Sequence, residues 1–183
     1  ESLFVEYYYG KEAGFEYVLG TRKGIKNDKP IIGNYDVNNE GSSDMYPKGG
    51  NMLHNLRQIV NDDEKWRGIL RGLNSTFYHQ TVTTKQIEDY LSQQVGIDLS
   101  TVFNQYLRDT RIPTLEYFFK DNQLGYRWTN CVADFNMPVK VTLNGKEELL
   151  QPETEWKNVP SNNENSKLEI DKNFYVASFN ITE

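Results

Sequence analysis

The apolar residues of this chain change their period once, near Pro113. Upstream they recur at helical spacing. Leu3, Phe4, Tyr7 and Tyr8 form one short stripe. Phe15, Val18 and Leu19 belong to a second, from about Lys11 to Arg22. Met52, Leu53, Leu56, Ile59 and Val60 make a third, and Trp66, Ile69, Leu70 and Leu73 a fourth. Ile87, Tyr90, Leu91 and Val95, then Leu99, Val102, Phe103, Tyr106 and Leu107, complete the set. Downstream the pattern alternates: Leu115, Tyr117, Phe119; Leu124, Tyr126, Trp128; Val139, Val141, Leu143. A helical period buries one stripe of a helix and an alternating one buries one face of a strand. The sequence therefore predicts an antiparallel helical bundle over residues 1–110, then a small antiparallel β-sandwich over 111–183.

Local signals punctuate these elements. Gly10 ends the first helix, and Gly14 weakens the second. Pro47 fits a first helical turn, where a missing N–H costs nothing. Asp62 is a good N-cap for the fourth helix. Thr83 with Gln86 reads as a capping box, Gly96 closes that helix, and Asp98 caps the next. Asn144-Gly145 is a strong hairpin signal. Leu149, Leu150, Leu168, Ile170, Phe174, Val176 and Phe179 supply the remaining strands. Two polar loops stand out: a long one from Gly24 to Asp44 and a short one from Ser161 to Ser166.

Composition bounds the function. Hydrophobic residues make up 37% of the 183, enough to fill a core. With 20 basic against 26 acidic residues the chain carries a net charge of −6, which argues against nucleic acid as a partner. No apolar run approaches the roughly 20 residues of a membrane span. The single cysteine, Cys131, excludes an internal disulfide and reads as a small buried hydrophobe.

The candidate chemistry lies where the long loop meets the third helix, at Asp44-Met45-Tyr46-Pro47-Lys48-Gly49-Gly50. Tyr46 stands at the mouth of that helix, on the loop side, where a phenol donates a hydrogen bond at neutral pH. Lys48 reads as an active-site cation or, more commonly, as a solvated first-turn residue that opposes the helix dipole and needs an acidic partner. Glu1 and Glu6 read as surface carboxylates, His54 as a structural histidine and His79 as a loop residue. Trp128 and Trp156 offer a sugar-binding platform, although aromatic residues more often pack a core.

Tyr46, Lys48 and Gly49, running into an apolar helix, resemble the Tyr-x-Lys-Gly pattern of zinc aminopeptidases related to aminopeptidase N and leukotriene-A hydrolase. The likeness extends to both sides. Glu1-Ser2-Leu3-Phe4-Val5-Glu6-Tyr7-Tyr8 looks like the continuation of the helix that carries the family's third zinc ligand. The helices ending in Tyr106-Leu107-Arg108-Asp109, before Ile112-Pro113, look like later helices of its catalytic domain. The resemblance covers Glu1 to about Pro113. It implies that Tyr46 holds the oxyanion of a tetrahedral intermediate, that peptides are the substrate and that zinc is the cofactor.

The departure is as informative. The family binds zinc through His-Glu-x-x-His and a later glutamate, and the two histidines here, His54 and His79, stand in no such motif. By the resemblance Glu1 falls beyond the third ligand. The chain is therefore expected to be a C-terminal part of a metallopeptidase, inactive alone, with its zinc ligands in an upstream part of the same polypeptide and none of its own. The alternative is a non-catalytic binding or scaffolding module, in which Tyr46 is incidental.

Overall fold

The computed structural model describes residues 1–35, 37–161 and 166–182. Residues 162–165 of the expected Ser161–Ser166 loop lie outside the described residues. Helices come first: α1 Ser2–Tyr9, α2 Lys11–Thr21, α3 Pro47–Val60, α4 Asp63–Thr76, α5 Thr84–Val95 and α6 Ser100–Arg108. Strands follow: β1 Thr114–Lys120, β2 Gln123–Thr129, β3 Val139–Leu143, β4 Lys146–Leu150, β5 Lys157–Pro160, β6 Leu168–Ile170 and β7 Ala177–Asn180.

The punctuation works as its chemistry requires. Pro47 opens α3, and Asn61 closes it in the left-handed region at φ 50°. The Asp62 carboxylate accepts from Lys65 N–H at 3.0 Å and starts α4. Thr83 and Gln86 exchange side-chain and backbone bonds in a full capping box. Asn144 and Gly145, at φ 51° and 82°, turn β3 into β4. Asp98 differs in detail: the N-cap of α6 is Leu99, and the Asp98 carboxylate reaches past it to Ser100 N–H at 2.9 Å.

The larger correction concerns α3. Its sequence reads as one apolar face, yet most of its residues are buried, polar ones among them. Lys48, Asn51, His54, Asn55, Arg57 and Gln58 are buried along with Met52 and Leu56, while Leu53 is exposed. The helix is packed around by α1, α2, α4, α6 and the β6–β7 connection, so its polar residues must pair inside the protein.

The strands form two sheets, ordered β5-β2-β1-β7 and β4-β3-β6. Their inner residues share one hydrophobic cluster with the helices, from Leu56 and Phe103 through Leu115 and Trp128 to Val141 and Leu168. One pairing breaks the expected antiparallel pattern: β7 runs parallel to β1, with Thr114 opposite Ala177. The reason lies in the preceding segment. Asp171 accepts Phe174 N–H through its backbone carbonyl, and the Asn55 side chain accepts Tyr175 N–H at 2.8 Å. This anchors Phe174 and Tyr175 against α3, so the chain enters the sheet at the end where β1 begins, with Ala177 N–H donating to Pro113 C=O at 2.9 Å. Phe174 and Val176 consequently precede the last strand instead of belonging to it.

The two tryptophans are packing residues. Trp128 is fully buried, its Nε1–H donating to Met137 C=O at 3.0 Å and its ring edge-on to Phe135. Trp156 meets Phe118 edge-on at 4.9 Å and carries the Arg127 guanidinium 4.4 Å from its ring centre, so neither offers an open sugar platform.

Two buried polar residues of α6 tie helices to strands. Gln105 donates to Arg111 C=O at 2.8 Å and accepts Val132 N–H at 2.7 Å. Tyr106 donates its hydroxyl to Tyr175 C=O at 2.7 Å. Replacing Tyr106 by Phe keeps the ring and leaves that carbonyl unpaired in a dry interior. Urea unfolding should show a loss of about 1–3 kcal/mol with an unchanged slope. An unchanged midpoint would mean that the bond contributes nothing.

Candidate functional site

Tyr46 sits at the N-terminus of α3, immediately after a short 3₁₀ turn, Ser43–Met45. Its side chain is 81% exposed, and among the described residues no group bonds its hydroxyl. The backbone beneath it is the opposite, fixed from several directions. The buried Asp44 carboxylate accepts Lys26 N–H at 3.0 Å and Asn27 N–H at 2.6 Å. Ser42 donates its hydroxyl to Asp28 at 2.5 Å and accepts Asp44 N–H at 3.2 Å. Lys48 is 1% exposed, and its ammonium donates to Asp109 C=O at 2.7 Å, just past α6.

The long loop that delivers Tyr46 is ordered by the same economy of contacts. Ile32 N–H donates to Leu107 C=O at 3.2 Å, and Ser42 N–H to Pro30 C=O at 2.9 Å. Asn34 and Asn39 form an isolated bridge. The two arms pass so closely that a Cβ on Gly41 would lie 2.0 Å from Ile31 O, and one on Gly33 would lie 2.1 Å from Asn39 O. Only glycine fits either place.

Beside Tyr46 lies a largely apolar cleft of about 620 Å³. Met45, Leu53, Trp66 and Leu70 line it with Val18 of α2 and with Glu1 and Leu3. His54 and Arg57 also contribute to its wall. The arrangement puts one free hydrogen-bond donor, on a rigid base, at the rim of an apolar hollow.

The other sequence candidates fall into different places. Lys48 is not solvated as expected. It is buried, and the burial that pulls its ammonium below the usual lysine range is countered by the charges of Asp44 and Asp109. Glu6 is not a surface carboxylate either: its side chain is only 10% exposed and clamps Arg57 with bonds of 2.6 and 3.1 Å, with Arg67 at 3.5 Å. Asp63 holds the same guanidinium at 2.8 Å. Glu1 is exposed and accepts the Tyr17 hydroxyl at 2.7 Å. His79 stands in an exposed loop against Tyr78. The sequence reading passed over Asp44, Asn51, Asn55 and Arg57, because polar residues on a helix or loop ordinarily face water.

His54 is buried edge-on against Phe15, with Nε2 3.1 Å from Asn173 Oδ1. Among the described residues no three His, Cys, Asp or Glu gather as a metal site requires, so the residues present do not fit a zinc ion. No helix among them is long and apolar enough to cross a membrane.

Comparison with known proteins is informative at the level of fold. No family model and no curated protein matches the chain. Among solved structures it is similar to an aminopeptidase A of Legionella pneumophila, in complex with aspartic acid, with a TM-score of 0.62. The match covers 97% of this chain at 12% identity and 22% of that one. The chain thus shares the fold of a section of an aminopeptidase.

His54 gives this region a pH dependence. Burial holds its imidazole below the ordinary value of 6.5, and the Arg57 and Arg22 charges push the same way, against the Asn173 bond and Asp171. The unfolded chain therefore binds the proton more readily. Stability is fully present above the unfolded value and is lost as pH falls below about 6.5. Asp63 and Asp109, held low by Lys11, Arg57 and Arg111, add their losses only below the ordinary aspartate value of 3.8. Urea midpoints should drop between about pH 7 and pH 5. In His54→Gln, which keeps a donor near the Nε2 position, that slope should flatten; an equal slope would assign it to another group.

Proposed function

We propose that this chain is the C-terminal part of a zinc-dependent metallopeptidase, an aminopeptidase that hydrolyses N-terminal peptide bonds. Residues 1–110 complete the helical part of its catalytic domain, and 111–183 form the sandwich that follows. The observation that carries this reading is Tyr46: an exposed donor on a fixed backbone, at the rim of the apolar cleft. The shared fold with a section of an aminopeptidase supports it.

Peptide hydrolysis converts a planar carbonyl into a tetrahedral centre whose oxygen is negative. A neutral phenol aimed at that oxygen bonds the charged form more strongly than the carbonyl it came from, and so lowers the barrier. Tyr46 has the required freedom, since among the described residues nothing competes for its hydroxyl. Holding the zinc is no part of this chain's role. The ligands and the groups that hold a substrate's free amine belong to an upstream part of the same polypeptide, and this chain alone is inactive.

The test is Tyr46→Phe in the full-length polypeptide, assayed on amino-acid arylamides with zinc present. Turnover should fall by about 10²–10³, with folding and metal content unchanged. Equal turnover would return Tyr46 to the surface as an incidental residue. No activity in either form would favour a binding module, as would an upstream sequence without His-Glu-x-x-His.

A further inference from the structure

We infer that Asp44 and Lys48 are positioning residues for Tyr46, a buried pair of opposite charges that fixes the backbone on both sides of the exposed ring. The inference rests on the reading of Tyr46 as an oxyanion donor.

The ring of Tyr46 is largely exposed, and among the described residues none bonds its hydroxyl. Its location is therefore set by the backbone alone. Two residues before it stands Asp44 and two after it Lys48, each 1% exposed. Placing one ion in the interior is costly, and placing two within five residues is unusual unless both are satisfied. Both are satisfied, and by different parts of the fold. The Asp44 carboxylate takes the N–H groups of Lys26 and Asn27, in the segment that follows α2. The Lys48 ammonium takes the C=O of Asp109, where α6 ends and the strands begin. The two charges also attract each other. Tyr46 is thereby referred to two separate elements at once, and neither can shift without breaking a buried charged bond. Transition-state donors act through such fixed placement: a displacement on the scale of an ångström removes most of the benefit.

Asp44→Asn removes the charge and keeps the shape. Lys48→Met keeps the buried stem and removes the ammonium. Each is made in the full-length polypeptide alone and with Tyr46→Phe, and kcat and KM are measured on an arylamide substrate. Each single change should lower kcat by about tenfold to hundredfold while KM moves little. In the Tyr46→Phe background the same change should cost almost nothing, because the group it places is already gone. An equal loss in both backgrounds would overturn the inference and leave Tyr46 as the donor. An inert Tyr46→Phe would instead overturn the reading of Tyr46, and the positioning role with it.

A fluorotyrosine at position 46 supplies a readout apart from activity. One narrow fluorine resonance in the natural sequence should broaden or split in either charge variant. An unchanged resonance in both would overturn the inference. The two charge variants are separate arms, so a variant that fails to fold leaves the other to decide.

Discussion

Burial of the polar side of α3 is the constraint on which the rest of the fold depends. A helix with polar side chains in the interior must find a partner for each of them, since an unpaired buried donor or acceptor costs about 1–3 kcal/mol. Asn51 donates to Pro47 C=O, and Gln58 meets His54, within α3 itself; the other partners come from elements around the helix. Asn51 accepts Arg22 Nε–H at 2.7 Å and donates to Thr21. Asn55 accepts Tyr175 N–H, and His54 meets Asn173. Arg57 reaches Glu6 of α1 and Asp63 of α4. Lys48 reaches the end of α6. The hydrophobic cluster brings the elements together, and these directional bonds decide how each one is oriented about α3.

The same logic joins helices to strands. Arg22 bonds Asn51 on one side and the carbonyls of Lys172 and Asn173 on the other, at 2.7 and 3.1 Å, with its guanidinium over the Tyr175 ring. The β6–β7 connection is thus held by α2, α3 and α6 together. That hold explains the parallel entry of β7, and it makes the sandwich's last strand dependent on the helices for its direction.

Much of this was legible in the sequence, and the remainder has a physical reason for being hidden. The switch of period at Pro113, the Asp62 and Thr83 caps and the Asn144-Gly145 turn are local, each written within a few residues. They delivered the order of helices and strands. The pairing of Glu6 with Arg57, or of Lys48 with Asp109, joins residues far apart in the chain, and no local signal announces it. A polar residue on a helix reads as exposed because most are, so α3 looked amphipathic when it is central. The parallel β1–β7 pair was hidden for the same reason, being set by Asn55, a residue of a helix. The place of Tyr46 at the mouth of α3 was legible because Pro47 fixes where the helix starts. Asp44, two residues earlier, carries no such local signal.

On the proposed reading of Tyr46, the site combines two demands that ordinarily conflict. A donor that waits for a transient oxyanion must be free of other partners, and a free polar side chain is ordinarily mobile. Tyr46 meets the first demand by standing in the open. The second is met below it, by placing ions in the interior where a carboxylate and an ammonium would otherwise be unwelcome. Hydrophobic residues of similar size at positions 44 and 48 would avoid that desolvation cost. They would also remove the groups that accept Lys26 and Asn27 N–H and donate to Asp109, and so release the backbone of Tyr46 from both of these anchors. On this view the charged pair is retained for geometry, not for stability.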